Sequence, residues 1–237
     1  DDILVQTAEG MGTRFNLDIR TRCEVREILR ADKKVRVTNL LTGDSYLESY
    51  DYLVLTPGAQ PYVPDIPGVD KENVFSIRDI PDSDNIKFYI KSQGVKKATV
   101  LGGGFIGLEM LETLNKLGIE STLIEADSQV INGLDQEMSN IIHNYLARQE
   151  VELIFNDAAV SLSGDERVTG INLSSGKLVA TDLVIMGVGV RPEVWLAEEA
   201  GLELGVTGGI LVDEYMQTSD PYIYAAGDAV QIKDFIT

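Results

Sequence analysis

Apolar positions along the chain change rhythm several times, and each change marks a different kind of structure. Residues 1–80 read mostly as β: Val25–Leu29, Val35–Leu40, a Thr42-Gly43-Asp44 turn into Tyr46-Leu47, and then Tyr52-Leu53-Val54-Leu55. The last run is continuous rather than alternating, which predicts a strand buried on both faces. It ends at Thr56-Pro57-Gly58-Ala59. Pro61, Pro64 and Pro67 then mark an extended connector, because each proline biases its predecessor away from helix.

Asp82–Ser92 reads as a short helix, and from Ala98 the rhythm alternates: strand 98–101, helix 104–117, strand 121–125, helix 135–148, strand 151–154. Leu108, Leu111, Leu114 and Leu117 recur at helical spacing, with Gly118 where a C-cap belongs. In the second helix Met138, Ile141, Ile142 and Tyr145 form the expected buried stripe, which leaves His143 on the surface side. Strands alternating with helices at this spacing imply a parallel sheet with right-handed crossovers. The pattern then shortens. Ala159–Leu162, Val168–Leu173 and Lys177–Ala180, separated by Gly164-Asp165 and Ser174-Ser175-Gly176, predict a three-stranded antiparallel meander. Leu183–Met186 returns as a buried strand and runs into Gly187-Val188-Gly189-Val190-Arg191-Pro192. A helix near 193–200 and short strands near 210–212 and 223–226 complete the reading.

One motif gives the alternating region a chemistry. Val100-Leu101-Gly102-Gly103-Gly104-Phe105-Ile106-Gly107 is a strand running into G-x-G-x-x-G and opening a helix. Gly102 permits the tight turn, Gly104 lets backbone approach a pyrophosphate, and Gly107 lets the helix pack closely on its strand. The helix N-terminus offers N–H groups and partial positive charge to phosphates. The next strand ends in Glu125, 23 residues after Gly102, close to the ~20 expected for an acid that binds ribose hydroxyls. Together these predict a dinucleotide site.

Composition narrows the partners. A net charge of −18 disfavours nucleic acid and anionic membrane surfaces. No apolar run approaches the ~18–20 residues that span a bilayer. The single cysteine, Cys23, cannot build a disulfide framework and fits a reducing, cytoplasmic setting. It enters a strand with Glu24 offsetting Arg22 and Arg26, a bystander rather than an activated thiol. One histidine and one cysteine make no zinc site.

Four blocks in order carry a family signature: Thr56-Pro57-Gly58-Ala59; Gly102 to Glu109; Gly187 to Pro192; and Tyr215 to Pro221 leading to Tyr224-Ala225-Ala226-Gly227-Asp228-Ala229-Val230. With them the chain resembles the flavin-dependent pyridine nucleotide–disulfide oxidoreductases, in the branch of coenzyme A-disulfide reductases, NADH oxidases and polysulfide/persulfide reductases. The resemblance covers nearly all 237 residues. It implies an α/β fold in which a Rossmann-like nicotinamide domain, residues 81–205, is inserted in an FAD domain formed by 1–80 and 206–237. By resemblance, Gly102, Gly104, Phe105, Ile106, Gly107, Glu109, Glu125, Val188 and Gly189 serve NAD(H). Phe105 would be an aromatic lid over the flavin, and Glu109 the acid near the nicotinamide carboxamide. Val25, Thr56, Gly58, Gly227 and Asp228 would serve FAD, Asp228 through the ribityl chain. Glu125, with no Arg in Ala126-Asp127-Ser128, favours NADH over NADPH.

The chain departs from the family in lacking a first glycine-rich flavin loop, the redox cysteine and the C-terminal dimerisation domain. The resemblance thus implies an internal piece of a longer, homodimeric protein. In the parent, hydride would pass from NADH to FAD, then electrons to a cysteine absent here, and on to a small disulfide, persulfide or polysulfide. The piece itself is expected to bind NADH, to hold FAD weakly and not to turn over. A water-forming NADH oxidase of the same family, a non-catalytic nucleotide-binding module and a one-domain dehydrogenase are the alternatives.

Overall fold

The computed structural model describes residues 6–233. Residues 1–5, including Ile3-Leu4-Val5 at the start of the region read as mostly β, lie outside the described residues. The chain divides into two compact units: Gln60–Arg191, and the flanking segments up to Ala59 and from Pro192 on. The sequence reading put the junctions at 80/81 and 205/206. The first lies earlier because strand Val74–Ser76 pairs in parallel with Leu183–Met186 inside the Gln60–Arg191 unit. The second does so because helix Trp195–Glu199 packs its buried Ala197 into the core of the flanking unit.

In the Gln60–Arg191 unit, five parallel strands lie in the order Val74–Ser76, Leu183–Met186, Lys97–Leu101, Glu120–Ile124, Glu152–Ile154. Alternation along each strand divides the core in two. Val100, Leu123, Leu183 and Ile185 pack with Met110, Leu111, Leu114 and Leu146 of helices Phe105–Lys116 and Gln136–Arg148. Leu101, Ile124, Val184 and Met186 face the other way. They are covered by Leu162, Ile171, Leu173 and Val179 of the antiparallel meander Ala159–Ser163, Gly170–Leu173, Leu178–Ala180. With both faces covered, the strand Leu183–Met186 is apolar and buried at every position, and in Lys97–Leu101 and Glu120–Ile124 every position after the first is buried. Helix Ile80–Gln93 starts at a capping box between Asp79 and Asp82 and stops at Gly94 in the left-handed region. Asn73, buried, joins sheet to meander. Its amide donates to the carbonyls of Val168 and Asp182, and its oxygen accepts from the Val168 N–H at 2.7 Å.

Two helical stripes differ from expectation. Phe105–Lys116 buries Gly107, Met110, Leu111 and Leu114. Leu117 falls past the last turn and is exposed, and Leu108 is half-buried. In Gln136–Arg148, Met138, Ile141 and Tyr145 point to solvent, whereas Ser139 and Leu146 are buried and Ile142 and His143 half-buried. Polar Ser139 and His143 turn inward because Val130 offers them its carbonyl and its N–H.

The other unit holds a three-stranded antiparallel sheet, Cys23–Leu29, Lys34–Asn39 and Ser45–Ser49. It also holds two short parallel pairs, Leu53–Leu55 with Ile223–Ala225 and Ile210–Leu211 with Val230–Gln231. Its core joins Ile28, Val35, Val37, Leu55, Ile210 and Ile223. Arg30 ties segments together by donating to Asp220 at 2.8 Å and to the carbonyls of Ala200 and Gly201. Two expectations change here. The early region read as mostly β contains helix Ala8–Phe15, capped by the Thr7 hydroxyl and ended by left-handed Asn16. The run at Tyr52–Leu55 is not buried on both faces: Leu53 and Leu55 face the core, whereas Val54 points to the opposite face and is 61% exposed.

Candidate functional site

At the carboxyl end of the five-stranded sheet, backbone replaces side chains. Strand Lys97–Leu101 ends at Gly102, which has φ +99° and donates to the Ile124 carbonyl at 2.8 Å. A Cβ on Gly102 would lie 2.4 Å from the Gly187 carbonyl oxygen, and one on Gly107 would lie 2.0 Å from that of Gly102. These glycines are therefore required by packing inside the unit. Gly104 differs: a Cβ there would meet nothing nearer than 4.0 Å, and its backbone is extended. Its small size leaves room for a ligand rather than for the protein. Gly104 is the N-cap of helix Phe105–Lys116, brings no side chain to cap it, and the first turn holds no acidic residue. Those N–H groups form a ready anion seat.

Glu125 stands where the sequence placed its acid, at the end of the neighbouring strand. Its carboxylate accepts from the Gly103 N–H at 2.6 Å and from the Asp127 N–H at 2.9 Å. It is thereby fixed on the rim of a cleft of about 460 Å³. Gly102, Gly103, Gly104, Gly187, Val188 and Gly189 line the same cleft. So do residues the motif reading missed: Tyr62, Ile66, Asn132 and Asp157. Tyr62 donates its N–H to the Gly189 carbonyl at 2.9 Å, and the Arg191 guanidinium lies 4.1 Å from its ring centre. Nothing in a proline-rich connector signals such a wall. Asp157 precedes the meander and accepts from the Ser174 and Ser175 hydroxyls and from the N–H groups of Ala158 and Ser175. Those bonds, the hydroxyls foremost, pull its pKa down to about 2. The described lining carries Glu125, Asp127 and Asp157 and no Lys or Arg.

Phe105, Ile106, Gly107 and Glu109 are not among the cleft-lining residues. Phe105 and Glu109, one turn apart and exposed, line a separate groove of about 290 Å³ with Ile142 and Tyr145. Ile106 is exposed and Gly107 buried.

In the other unit, Leu55 and Ala225 are register partners in a parallel pair, so the loops Thr56–Gly58 and Ala226–Asp228 leave from the same end. The Ala226 N–H donates to the Leu55 carbonyl at 3.0 Å. Gly58 (φ +77°) and Gly227 (φ +84°) take the left-handed turns. Thr56 and Asp228 are exposed there, offering a hydroxyl and a carboxylate. Val25 lies in the antiparallel sheet opposite Val37, packed against the core at a bulge. Cys23, half-buried against the same core, is a free thiol. Among the described residues no His, Cys, Asp or Glu cluster suits a metal, and no helix is long and apolar enough to cross a membrane.

A glycine-turned parallel strand, a bare helix N-terminus and an acid at the next strand's end define a dinucleotide-binding α/β protein. Residues 7–236 match the family model of the pyridine nucleotide-disulphide oxidoreductases, and the chain belongs to that family. It is 39% identical, over its whole length and 52% of the relative's, to an NADH oxidase of Methanocaldococcus jannaschii. It is 33% identical, over 95% of its own length and 50% of the relative's, to a coenzyme A disulfide reductase of Staphylococcus aureus. The crystal structure of reduced CoADR-RHD from Bacillus anthracis superposes with a TM-score of 0.96 and 47% identity, covering all of this chain and 42% of that one. The chain thus spans about half the length of the curated relatives it matches.

Proposed function

We propose that the cleft of the Gln60–Arg191 unit binds NADH in preference to NADPH. We further propose that the whole protein is an FAD-dependent NADH:disulfide oxidoreductase reducing coenzyme A disulfide, persulfide or polysulfide. The observation that carries the nucleotide preference is Glu125. Its carboxylate, held by the Gly103 and Asp127 N–H groups, is oriented to accept from ribose hydroxyls and repels a 2′-phosphate. Asp127 and Asp157 reinforce that repulsion from the same lining. The N-terminus of helix Phe105–Lys116 would hold the pyrophosphate, with Gly104 allowing its approach. Val188 and Gly189 would offer backbone groups to the nicotinamide, with Phe105 as lid and Glu109 near the carboxamide.

For FAD, the hydroxyl of Thr56, the carboxylate of Asp228 and the left-handed turns at Gly58 and Gly227 fit a polyhydroxyl chain lying over a strand end. Val25 would supply backbone contacts. When bound, FAD supplies a two-electron relay between nicotinamide and disulfide, and the redox cysteine would come from residues outside this chain. The test is calorimetric titration with NADH and NADPH. Glu125→Ala is expected to weaken NADH binding roughly tenfold or more, as for loss of charge-assisted hydrogen bonds, and to narrow the gap between the two nucleotides. Equal affinity of the unaltered protein for both nucleotides would overturn the preference. A second reading is an NADH oxidase, favoured by the identity to the archaeal NADH oxidase, with water as its proposed product. NADH-dependent oxygen uptake by the whole protein, without consumption of coenzyme A disulfide, would decide for it.

A further inference from the structure

We propose that His143, the chain's single histidine, is a positioning residue: through its neutral imidazole it holds the loop 126–134 against the glycine-rich turn in the geometry that binds the dinucleotide. This rests on the dinucleotide reading of the cleft. The contacts form a chain. His143 Nε2 accepts from the Val130 N–H at 3.2 Å. Val130 is fully buried, and its carbonyl accepts from the Ser139 hydroxyl at 3.0 Å. Ile131 follows with φ +47°, an uncommon conformation for a β-branched residue, kept only where the surroundings impose it. Its N–H donates to the Gly103 carbonyl at 3.0 Å, while the Gly103 N–H is held by Glu125. Asp127, Ile131 and Asn132 of this loop line the cleft. His143 is therefore not among the cleft-lining residues, yet it fixes the backbone that sets Gly103 and the lining residues Asp127, Ile131 and Asn132.

The bond needs an imidazole without a proton on Nε2. Once protonated, that nitrogen becomes a donor facing another donor, and the Val130 N–H loses its acceptor. Burial pushes the His143 pKa below its ordinary value, the direction expected if the neutral form is built in. The Phe155 ring packs 4.5 Å away. One turn away on its own helix lie Ser139, Asn140, Leu146 and Ala147, none charged. Asp127 on the loop is paired with Asn132, and Glu152 on the strand that precedes Phe155 is paired with Lys177 and Thr122. The sign follows: affinity is full above the folded-state pKa and falls as pH drops through it.

The experiment is calorimetry of the purified protein with NAD+, which survives acid, between pH 8 and pH 5. The unaltered protein is expected to weaken about fivefold toward pH 5, the worth of one hydrogen bond. His143→Gln, whose amide oxygen can accept in place of Nε2, is expected to bind normally at pH 8 and to show no such fall. His143→Leu keeps an apolar contact with Phe155 and is expected to be weakened about equally at both ends. If His143→Leu binds like the unaltered protein with the same pH profile, the proposal is overturned while the nucleotide reading stands. If the unaltered protein binds no NAD+ at any pH, the nucleotide reading falls and this proposal with it. NMR of the ligand-free protein gives a readout without ligand: the Val130 and Ile131 amide resonances should move with the imidazole titration. Resonances that stay still overturn the proposal.

Discussion

The two units share one device, a parallel strand ending in a glycine-bearing loop, and differ in what encloses it. In the Gln60–Arg191 unit, Val100, Leu123, Val184 and Ile185 are fully buried, between helices on one face and the meander on the other. In the flanking unit, the strand beside Thr56 has a single neighbouring strand among the described residues, and its Val54 is 61% exposed. A strand end can thus carry a glycine-turned loop whether or not the strand is enclosed, because the loop geometry comes from register and glycine φ. Enclosure decides something else, namely how little the site tolerates change around it.

That difference is greatest at Gly107. An added methyl would lie 2.0 Å from the Gly102 carbonyl oxygen, so helix and strand must separate. Alanine is favoured over glycine in a helix by about 1 kcal/mol, far too little to offset a backbone clash. Gly107→Ala is expected to cost more than about 3 kcal/mol of stability in the Gln60–Arg191 unit, measured by urea unfolding followed by circular dichroism. Gly104→Ala, with open space around it, is expected to stay within about 1 kcal/mol while weakening NADH binding. Equal stability of the two variants would remove the distinction between a packing glycine and a ligand glycine.

Legibility followed the same division. The Gly-rich strand, the order of strands and helices in 98–154 and the meander were readable, because enclosure imposes apolar runs and helical spacing on the sequence. Glu125 was readable because its place depends on local spacing along one strand–helix–strand unit. His143 was not. Its inward direction depends on the N–H of Val130, which becomes an unpaired donor only after the loop 126–134 has folded. Tyr62 was hidden likewise, since a connector residue becomes a wall only through its pairing with Gly189. Val54 misled in the opposite sense: four apolar residues in a row look the same whether one or two layers cover them.

The two antiparallel sheets sharpen the comparison through pH. The turn of the flanking unit's sheet is closed by neutral Asn39, whose oxygen accepts from the Leu41 and Thr42 N–H groups. The meander is closed by Asp157, with its pKa pulled down to about 2 by serine hydroxyls and backbone N–H groups. A folded-state pKa below the ordinary 3.8 gives a contribution that is complete above pH 4 and lost as pH falls toward 2. Asp157→Asn is therefore expected to lower the melting temperature of the Gln60–Arg191 unit at pH 7, by an amount that shrinks between pH 4 and pH 2.5. A gap constant over that range would show that the carboxylate's charge contributes nothing there.

The smallest effect is expected at Val54, and it tests the comparison at its base. Val54→Thr replaces a methyl by a hydroxyl where water already reaches, so the change should remain within about 0.5 kcal/mol. The same substitution at Val184, fully buried under the meander, removes a packed methyl and buries a hydroxyl, at a cost of about 1–3 kcal/mol. Urea midpoints of the two variants measure the contrast with identical chemistry on two parallel strands. A loss at Val54 as large as at Val184 would mean that something covers this face in solution. Enclosure would then cease to separate the two units, and the tolerance expected of the Thr56–Asp228 end would go with it.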